Sequence, residues 1–416
     1  MSAGSLLRRV RRAAMVAAAP GSLLLDVAGG VPLAVQGCVL LFALLTGCWA
    51  HHRSGARLRR RLGGAAGWLG LVELLEHAGS RVVRRQARAV RPGLSGSGHP
   101  ISAYAATMGR LVSGGLLVRG RKVYSPWSRG ILVWGPQGSG KSSWLVGPIL
   151  EAPGAAYVSS TKTELVAMTA RLRAERGPVH VFNPTGLGGV ESTFGWDPVA
   201  GCEDPSVADA RARALVRGGG GVSGGEHSDF WAARAAEIVR CYLLAAALHG
   251  QDMTAVMEWA QHPDDTTPLS LIEQHPVVPA GWVGTMQRNL SAAPNERSGY
   301  FAAIVPAVSF MDNPLVAAAC RPGIGASLDL AAFLRGTGTI YVIAGEGDRR
   351  VAPLLTALTE ATFGTAKQVA AGRPGGRLDP PLTLFLDEIA QTTPVPLDLW
   401  AADSRGWGIT VCAVVQ

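Results

Sequence analysis

The stretch ILVWGPQGSGKSS, residues 131–143, decides how the rest of the chain is interpreted. It begins with four apolar residues, a run short enough for a buried strand, and passes into a loop that contains glycines. The spacing G-x-x-x-x-G-K-S, which is the pattern of a phosphate-binding loop, is completed by Gly135, Gly140, Lys141 and Ser142. Glycines suit such a loop because backbone N–H groups can converge on a phosphate where a side chain would block the approach.

We expect this loop to bind ATP together with Mg²⁺. Lys141 would place its charge against the β- and γ-phosphates, and the Ser142 hydroxyl would ligate Mg²⁺ at the start of a helix whose positive end faces the anion. The chain holds only four lysines, so a chance match to the pattern is rare. The predicted nucleotide-binding residues are Gly135, Pro136, Gln137, Gly138, Ser139, Gly140, Lys141, Ser142 and Ser143.

A pair of acidic residues follows an apolar run in TLFLDEIA, residues 383–390. A phosphate-binding loop needs a carboxylate to hold Mg²⁺ and a residue that orients or deprotonates the attacking water. At the end of a strand two adjacent side chains can diverge, so one motif can supply both. We therefore predict Asp387 as a metal ligand and Glu388 as the catalytic base.

Two further residues are candidates for the catalytic site. ITVCAVVQ, residues 409–416, reads as a strand beside the Asp387 strand, which would bring the Gln416 amide near the γ-phosphate as a sensor. Arg405, in DSRGWG, could reach the nucleotide of a neighbouring subunit. Alternatively, Arg405 is a solvated surface arginine without a role, and we slightly favour this interpretation.

The amino-terminal part of the chain has the pattern of a membrane anchor. Hydrophobic residues make up 48% of the chain and charged residues 17%, which is apolar for a soluble protein. Residues 31–50 carry no charge, and about 20 apolar residues are enough to cross a bilayer core of roughly 30 Å. A secretory signal peptide fits less well, because bulky and basic residues follow and no clear small-residue cleavage site is present.

Basic clusters at residues 8–12 and 53–61 flank this apolar part. A helical hairpin that turns at residues 29–32 would keep both clusters in the cytoplasm, and we prefer it to a single span with its N-terminus outside. Either arrangement places the protein in the cytoplasmic membrane with its ATPase part facing the cytoplasm. The six cysteines are scattered without a C-x-x-C pair, as expected for reduced thiols in a cytosolic compartment.

The positive charge is concentrated before the phosphate-binding loop. Residues 1–130 hold 19 Lys and Arg against three acidic residues, a balance of +16, so the total of +9 leaves −7 for the remaining 286 residues. A basic pI here therefore favours a membrane surface as readily as a nucleic acid.

Strands alternate with helices on both sides of a long helical stretch, which predicts an α/β fold with ligands at the carboxyl ends of its strands. We predict a RecA-like P-loop ATPase domain with an inserted all-α region, preceded by a transmembrane anchor. The predicted segments are an anchor at 1–62, a basic linker at 63–100, the first part of the ATPase domain at 101–204, the all-α insertion at 205–334 and the second part at 335–416.

From about residue 116 to 416 the chain resembles the conjugative coupling proteins of type IV secretion, the TraG/TraD-like group related to FtsK-type DNA pumps. The resemblance rests on the phosphate-binding loop with its preceding LVRGRKVYSPWSRG, on YVSSTKTEL and VFNPTG, on the helical insertion, and on TIYVIAGEGD and LFLDEIAQ. It implies a membrane-anchored homo-hexameric ATPase that contacts lipids, receives DNA, often as a relaxase complex, and feeds it to the proteins of a secretion channel.

The sequence departs from this group in two places. Ser160-Thr161-Lys162 stands where many relatives look like D-P-K-G, so a role of Lys162 near the phosphates stays open. Relatives also continue beyond the sensor glutamine, from which we expect a truncated or split product. Two other functions therefore remain: an FtsK-like pump for double-stranded DNA, and a membrane receptor or scaffold that binds nucleotide without productive turnover.

Overall fold

The computed structural model describes residues 76–94, 98–111, 120–220, 228–273, 275–321, 323, 327–345 and 349–415. The predicted membrane anchor, most of the first half of the basic linker and Gln416 lie outside these residues. Within the described part of the chain, none of the helices is both long enough and apolar enough to span a bilayer.

A small antiparallel hairpin precedes the main sheet and consists of β1 (Ala105–Arg110) and β2 (Lys122–Pro126). The main sheet has six strands in the order β3-β8-β7-β4-β6-β5, and each neighbouring pair is parallel. Its strands are β3 (Ile131–Trp134), β4 (Ala156–Ser160), β5 (Val179–Phe182), β6 (Thr339–Ile343), β7 (Leu382–Leu386) and β8 (Ile409–Val415). The near-continuous apolar sequences of these strands fit a sheet that is covered on both faces.

The helices are α1 (Ser80–Val90), α2 (Lys141–Glu151), α3 (Glu164–Ala174), α4 (Pro205–Gly218), α5 (Ser228–Leu248), α6 (Met253–Gln261), α7 (Thr267–Ile272), α8 (Ala280–Leu290), α9 (Pro294–Val308), α10 (Pro314–Ala319), α11 (Leu330–Arg335), α12 (Ala352–Ala371), α13 (Ile389–Thr392) and α14 (Leu397–Trp407). The predicted α/β fold with a parallel sheet is confirmed. Helices α4 to α11 lie between β5 and β6 in the sequence, where a helical insertion is expected.

Each face of the sheet packs against its own helices. On one face, Leu145 and Ile149 of α2 and Leu165 of α3 join Val158 and Phe385 of the sheet in a buried cluster. On the other face, α12 contributes to the larger core. The same helix packs against α4 of the helical region and against the stacked Trp400 ring of α14. Apolar burial on both faces thus fixes the sheet as the rigid centre of the domain.

A fully buried arginine on α3 lies at the amino edge of the sheet, where the strands begin. Arg173 Nε donates to Thr339 Oγ1 at 2.7 Å, and one terminal nitrogen donates to the Ala152 carbonyl at 2.8 Å. The other terminal nitrogen donates to the carbonyls of Gly154 and Thr337 at 3.1 and 3.0 Å. Burial lowers the pKa of Arg173 to about 10, so the guanidinium stays charged at neutral pH with its N–H groups satisfied by oxygens.

The β1–β2 hairpin is bonded to α2 at two places along the helix. Thr107 donates from both its backbone N–H and its hydroxyl to the Glu151 carboxylate, at 2.6 and 2.7 Å. Nearer the start of the helix, Trp144 Nε1 donates to the Met108 carbonyl at 3.0 Å. The helix that follows the phosphate-binding loop is therefore attached to the hairpin as well as to the sheet.

Candidate nucleotide-binding site

The phosphate-binding loop crosses the carboxyl edge of the sheet, from the end of β3 to the start of α2. Gly138 and Gly140 have φ angles of 76° and 83°, in the left-handed region that glycine adopts without strain. A Cβ on either would meet no atom within 4 Å, so open space lies over the loop. At Gly135 a Cβ would come within 2.9 Å of Ser139 Oγ, and this position has no room for a side chain without a shift.

Lys141 folds back over this loop. Its ammonium donates to the carbonyls of Gly135 and Pro136 at 2.7 and 2.9 Å. Both acceptors are neutral, so these bonds leave the positive charge available to an anion. Together with the N–H groups at the start of α2, whose dipole is positive at that end, the ammonium makes the loop a site for phosphate.

Asp387 lies at the same edge, directly after β7, between the neighbouring strands β4 and β8. Its side chain is buried, with 3% of the residue exposed. Ser142 Oγ and Ser160 Oγ both donate to its Oδ2, at 3.0 and 3.3 Å. No donor among the described residues reaches Oδ1, which is also buried. A buried carboxylate oxygen without a partner, beside the Ser142 hydroxyl, is a fitting ligand for a hard divalent cation.

The surroundings of Asp387 affect its protonation in opposing ways. Burial, with a smaller contribution from the neighbouring Glu388 charge, raises the pKa of the Asp387 carboxyl above its usual value. The Ser142 and Ser160 hydrogen bonds and the Lys141 charge act in the other direction. A bound cation would favour the ionised form in the same way as Lys141 does.

Glu388 has the left-handed conformation φ 50°, ψ 47°, and no other non-glycine residue in the described ranges has a positive φ. Such a conformation is strained for a residue with a Cβ and is found most often at functional sites. Here it turns the chain between β7 and α13, and the two acids have different partners: Asp387 accepts from Ser142 and Ser160, and Glu388 from Thr161. Thr161 Oγ1, on the neighbouring strand end, donates to Glu388 Oε2 at 3.2 Å.

An open cleft of about 270 Å³ lies over these groups and has a mostly polar wall. Its lining residues are Gln137, Gly138, Ser139, Gly140, Lys141, Ser142, Ser143, Lys162, Glu164 and Glu388. The structure therefore brings Glu388 to the predicted loop, together with Lys162, whose role near the phosphates the sequence left open, and Glu164, to which the sequence assigned no role. Ser160 and Thr161, which appeared in the sequence only as a departure from the resembling group, are hydrogen-bonded to the two acids.

Of the two remaining candidates, the structure describes Arg405, which does not line this cleft. Arg405 is exposed in the last turn of α14, and β8 begins four residues later at Ile409, which places Arg405 at the amino edge of the parallel sheet. Its role at a neighbouring subunit's nucleotide stays a prediction. Gln416 lies outside the described residues; the strand before it ends with Val415 paired to Trp134, immediately before the phosphate-binding loop.

These residues fit a magnesium-bound nucleoside triphosphate. Ser142 and Asp387 would hold the cation, the loop and Lys141 would hold the phosphates, and Glu388 faces the same cleft. The feature that a protein without a ligand here would not need is Asp387 Oδ1, a buried carboxylate oxygen without a partner among the described residues.

Comparison with known proteins gives a match at the level of the fold. No family model and no curated protein matches the sequence. Among solved structures, the chain is similar to the bacterial conjugative coupling protein TrwBdeltaN70 in an unbound monoclinic form, with a TM-score of 0.51 and 19% identity over 71% of this chain. The chain has the fold of a conjugative coupling protein. It spans 64% of that TrwB structure, just under two thirds of its length.

Two further TrwB structures have the same coupling-protein fold. One is in complex with the non-hydrolysable GTP analogue GDPNP, with a TM-score of 0.51 and 18% identity over 77% of this chain and 74% of that one. The other is in complex with ADP and Mg²⁺, with a TM-score of 0.50 and 19% identity over 76% and 74%. The resemblance drawn from the sequence is thus confirmed for the fold, and the chemistry is argued from the site.

Proposed function

We propose that this chain is a membrane-anchored, ATP-hydrolysing coupling protein that delivers DNA, or a relaxase–DNA complex, to a conjugation channel. The observation that carries the ATPase part of the proposal is the hydrogen bond from Ser142 to Asp387 Oδ2, which leaves Oδ1 beside a glycine loop without a partner among the described residues. The TrwB structure in complex with ADP and Mg²⁺, which has the same fold, supports ATP and Mg²⁺ as cofactors.

Each group has a distinct part in the proposed reaction. The loop N–H groups and Lys141 would bind the β- and γ-phosphates, and Ser142 and Asp387 would hold Mg²⁺, whose charge would neutralise phosphate charge. Glu388 orients a water molecule and accepts its proton. The bond from the water oxygen to the γ-phosphorus forms as the bond to the bridging oxygen breaks, and ADP and inorganic phosphate leave.

DNA delivery, hexamer assembly and contacts with lipids and channel proteins belong to the same proposal. Support comes from the coupling-protein fold and from the +16 balance of residues 1–130. Because the remaining residues sum to −7, DNA affinity cannot rest on the net charge of the ATPase part. A ring that concentrates a few arginines around a channel would supply it, and such binding falls steeply with salt.

Steady-state ATP hydrolysis by the detergent-solubilised full chain tests the function. Rates are measured without DNA, with single-stranded DNA and with double-stranded DNA, and the Lys141→Ala variant serves as the background. Stimulation by single-stranded DNA, together with nucleotide-dependent assembly, is the result expected of a coupling protein. Stimulation by double-stranded DNA alone would instead favour the pump, and turnover no higher than the background would favour the scaffold.

Fractionation of cells that express the full chain tests the membrane anchor. The protein is expected to stay with the cytoplasmic membrane after an alkaline carbonate wash and to be released by detergent, because residues 31–50 are long enough to span the bilayer. Release by carbonate alone would contradict a spanning anchor and leave basic residues as a peripheral attachment.

A further inference from the structure

Two consecutive hydroxyl residues leave the sheet beside two consecutive acids. β4 pairs with β7 in parallel, with Ser159 opposite Leu386. The residues that follow on the two chains are Ser160 and Thr161 on one side and Asp387 and Glu388 on the other. The register continues in their side chains, since Ser160 donates to Asp387 Oδ2 and Thr161 donates to Glu388 Oε2.

The Thr161 side chain is buried and its hydroxyl has a charged acceptor. The residue is 4% exposed, and its hydroxyl donates to Glu388 Oε2 at 3.2 Å. Burying a hydroxyl costs free energy unless the hydroxyl finds an acceptor, so a buried threonine whose hydroxyl bonds a carboxylate gains most of its advantage over valine from that bond.

The two acids differ in the backbone that carries them. Asp387 directly follows a regular strand and accepts from two hydroxyls, whereas Glu388 has its backbone in the left-handed region and accepts from Thr161. A carboxylate that must orient water works only within a narrow range of positions, and a donor on the adjacent strand narrows that range.

We propose that Thr161 is a positioning residue that holds the Glu388 carboxylate in place for water activation. The inference rests on the proposed ATP hydrolysis with Glu388 as the base. Ser160 serves Asp387 in the parallel way, because its bond to Oδ2 leaves Oδ1 to the cation. The pair Ser160-Thr161 thus keeps the two acids in separate roles.

Thr161→Val and Thr161→Ser in the full chain provide the test. Valine keeps the shape and removes the donor, so kcat is expected to fall about tenfold with little change in KM for ATP. Serine keeps the hydroxyl and is expected to restore kcat to within about threefold of wild type. Thr383→Val is the matched control, because Thr383 is also buried, lies on β7, and its hydroxyl has no hydrogen-bond partner among the described residues.

A double variant separates positioning from a general loss of structure. If Thr161 acts through Glu388, adding Thr161→Val to Glu388→Gln leaves the residual single-turnover rate unchanged. A further fall of similar size in the double variant would overturn the inference, because the hydroxyl would then act independently of Glu388. Equal kcat for Thr161→Val and wild type would also overturn it.

The outcomes distinguish this inference from the function on which it rests. A wild-type rate no higher than that of Lys141→Ala would overturn both. A clear wild-type rate that Thr161→Val leaves intact would overturn only the positioning role, and the ATPase would stand.

Discussion

The two edges of the same parallel sheet differ in how far the hydrogen bonds of their buried charged groups are satisfied. At the amino edge, Arg173 is surrounded by oxygen acceptors that satisfy its guanidinium. At the carboxyl edge, one buried oxygen of Asp387 has no donor in the described part of the chain, and Glu388 has a strained backbone. Unsatisfied and strained groups lower the stability of the free protein, and they persist where a ligand or a reaction needs them. Variants at the two edges should therefore have separable effects, on turnover at one and on stability at the other.

Lys141→Ala should have the largest effect at the carboxyl edge. Hydrolysis is expected to fall to background, a loss of at least about 10³-fold, and nucleotide binding to weaken, because the loop loses its positive side chain. The free energy of unfolding should change little, since Lys141 bonds only loop carbonyls near solvent. Lys367→Ala, which removes a surface bond to Asp403, is the control and should leave turnover unchanged. Retained hydrolysis in Lys141→Ala would contradict the assignment of the loop.

Glu388→Gln should separate binding from chemistry. Turnover is expected to fall by about 10²- to 10⁴-fold while ATP still binds, because only the acceptor for the water proton is lost. Equilibrium binding of a fluorescent ATP analogue, measured beside single-turnover hydrolysis, checks both quantities. Loss of binding as well would make Glu388 a structural residue or a metal ligand, and the roles of the two acids would be wrong.

Arg173→Met should act on stability instead. The substitution keeps an apolar side chain of similar length but leaves the carbonyls of Gly154 and Thr337 without the arginine donor, so we expect a loss of about 3 kcal/mol in the free energy of unfolding. Urea unfolding followed by circular dichroism measures it. Arg171→Met, on an exposed position of the same helix, should change stability by less than about 0.5 kcal/mol. Equal effects of the two variants would remove the contrast between the edges.

Asp387→Asn should affect stability less than Arg173→Met does, and with the opposite sign. The folded pKa of Asp387 is raised, so its favourable contribution is present below the ordinary aspartate pKa and is lost as the pH rises through the raised folded value. Asparagine has no such loss, and at pH 8 without Mg²⁺ or nucleotide its melting temperature should exceed that of wild type by about 2 °C. The gain should vanish at pH 3.

Adding Mg²⁺ and a non-hydrolysable ATP analogue should make wild type more stable than Asp387→Asn. Wild type gains stability from the bound ligand, and Asp387→Asn gains less because it lacks the charged ligand for the cation. Asp403→Asn is the control: Lys367 lowers the pKa of Asp403, so this exposed variant should not be stabilised at pH 8. Stabilisation of both variants would point to net charge rather than to the buried site.

The sequence predicted the carboxyl edge better than the amino edge. The glycine loop and the Asp387-Glu388 pair follow from spacing and from the apolar runs before them, because ligands collect where parallel strands end. Thr161 could not be assigned in this way, since it lies 227 residues from Glu388 and the contact depends on β4 and β7 being neighbours. The order of the strands in a sheet cannot be inferred from local sequence patterns.

Arg173 and Arg405 illustrate the limits at the amino edge. Arg173 occupies a helix position that reads as one of several surface arginines, and its acceptors are mostly backbone carbonyls, which have no sequence signature. Arg405 was a candidate because of its motif, but its position follows from the topology of the sheet. A residue just before a parallel strand lies at the edge opposite the phosphate-binding loop.

The attachment of the β1–β2 hairpin to α2 has a mechanical consequence. Thr107 and Met108 are hydrogen-bonded to Glu151 and Trp144 of the helix. The hairpin and the helix that follows the phosphate-binding loop should therefore move together. Any displacement of α2 would act on β1 through these hydrogen bonds. The position of β1 would thereby depend on the helix that begins at the phosphate-binding loop.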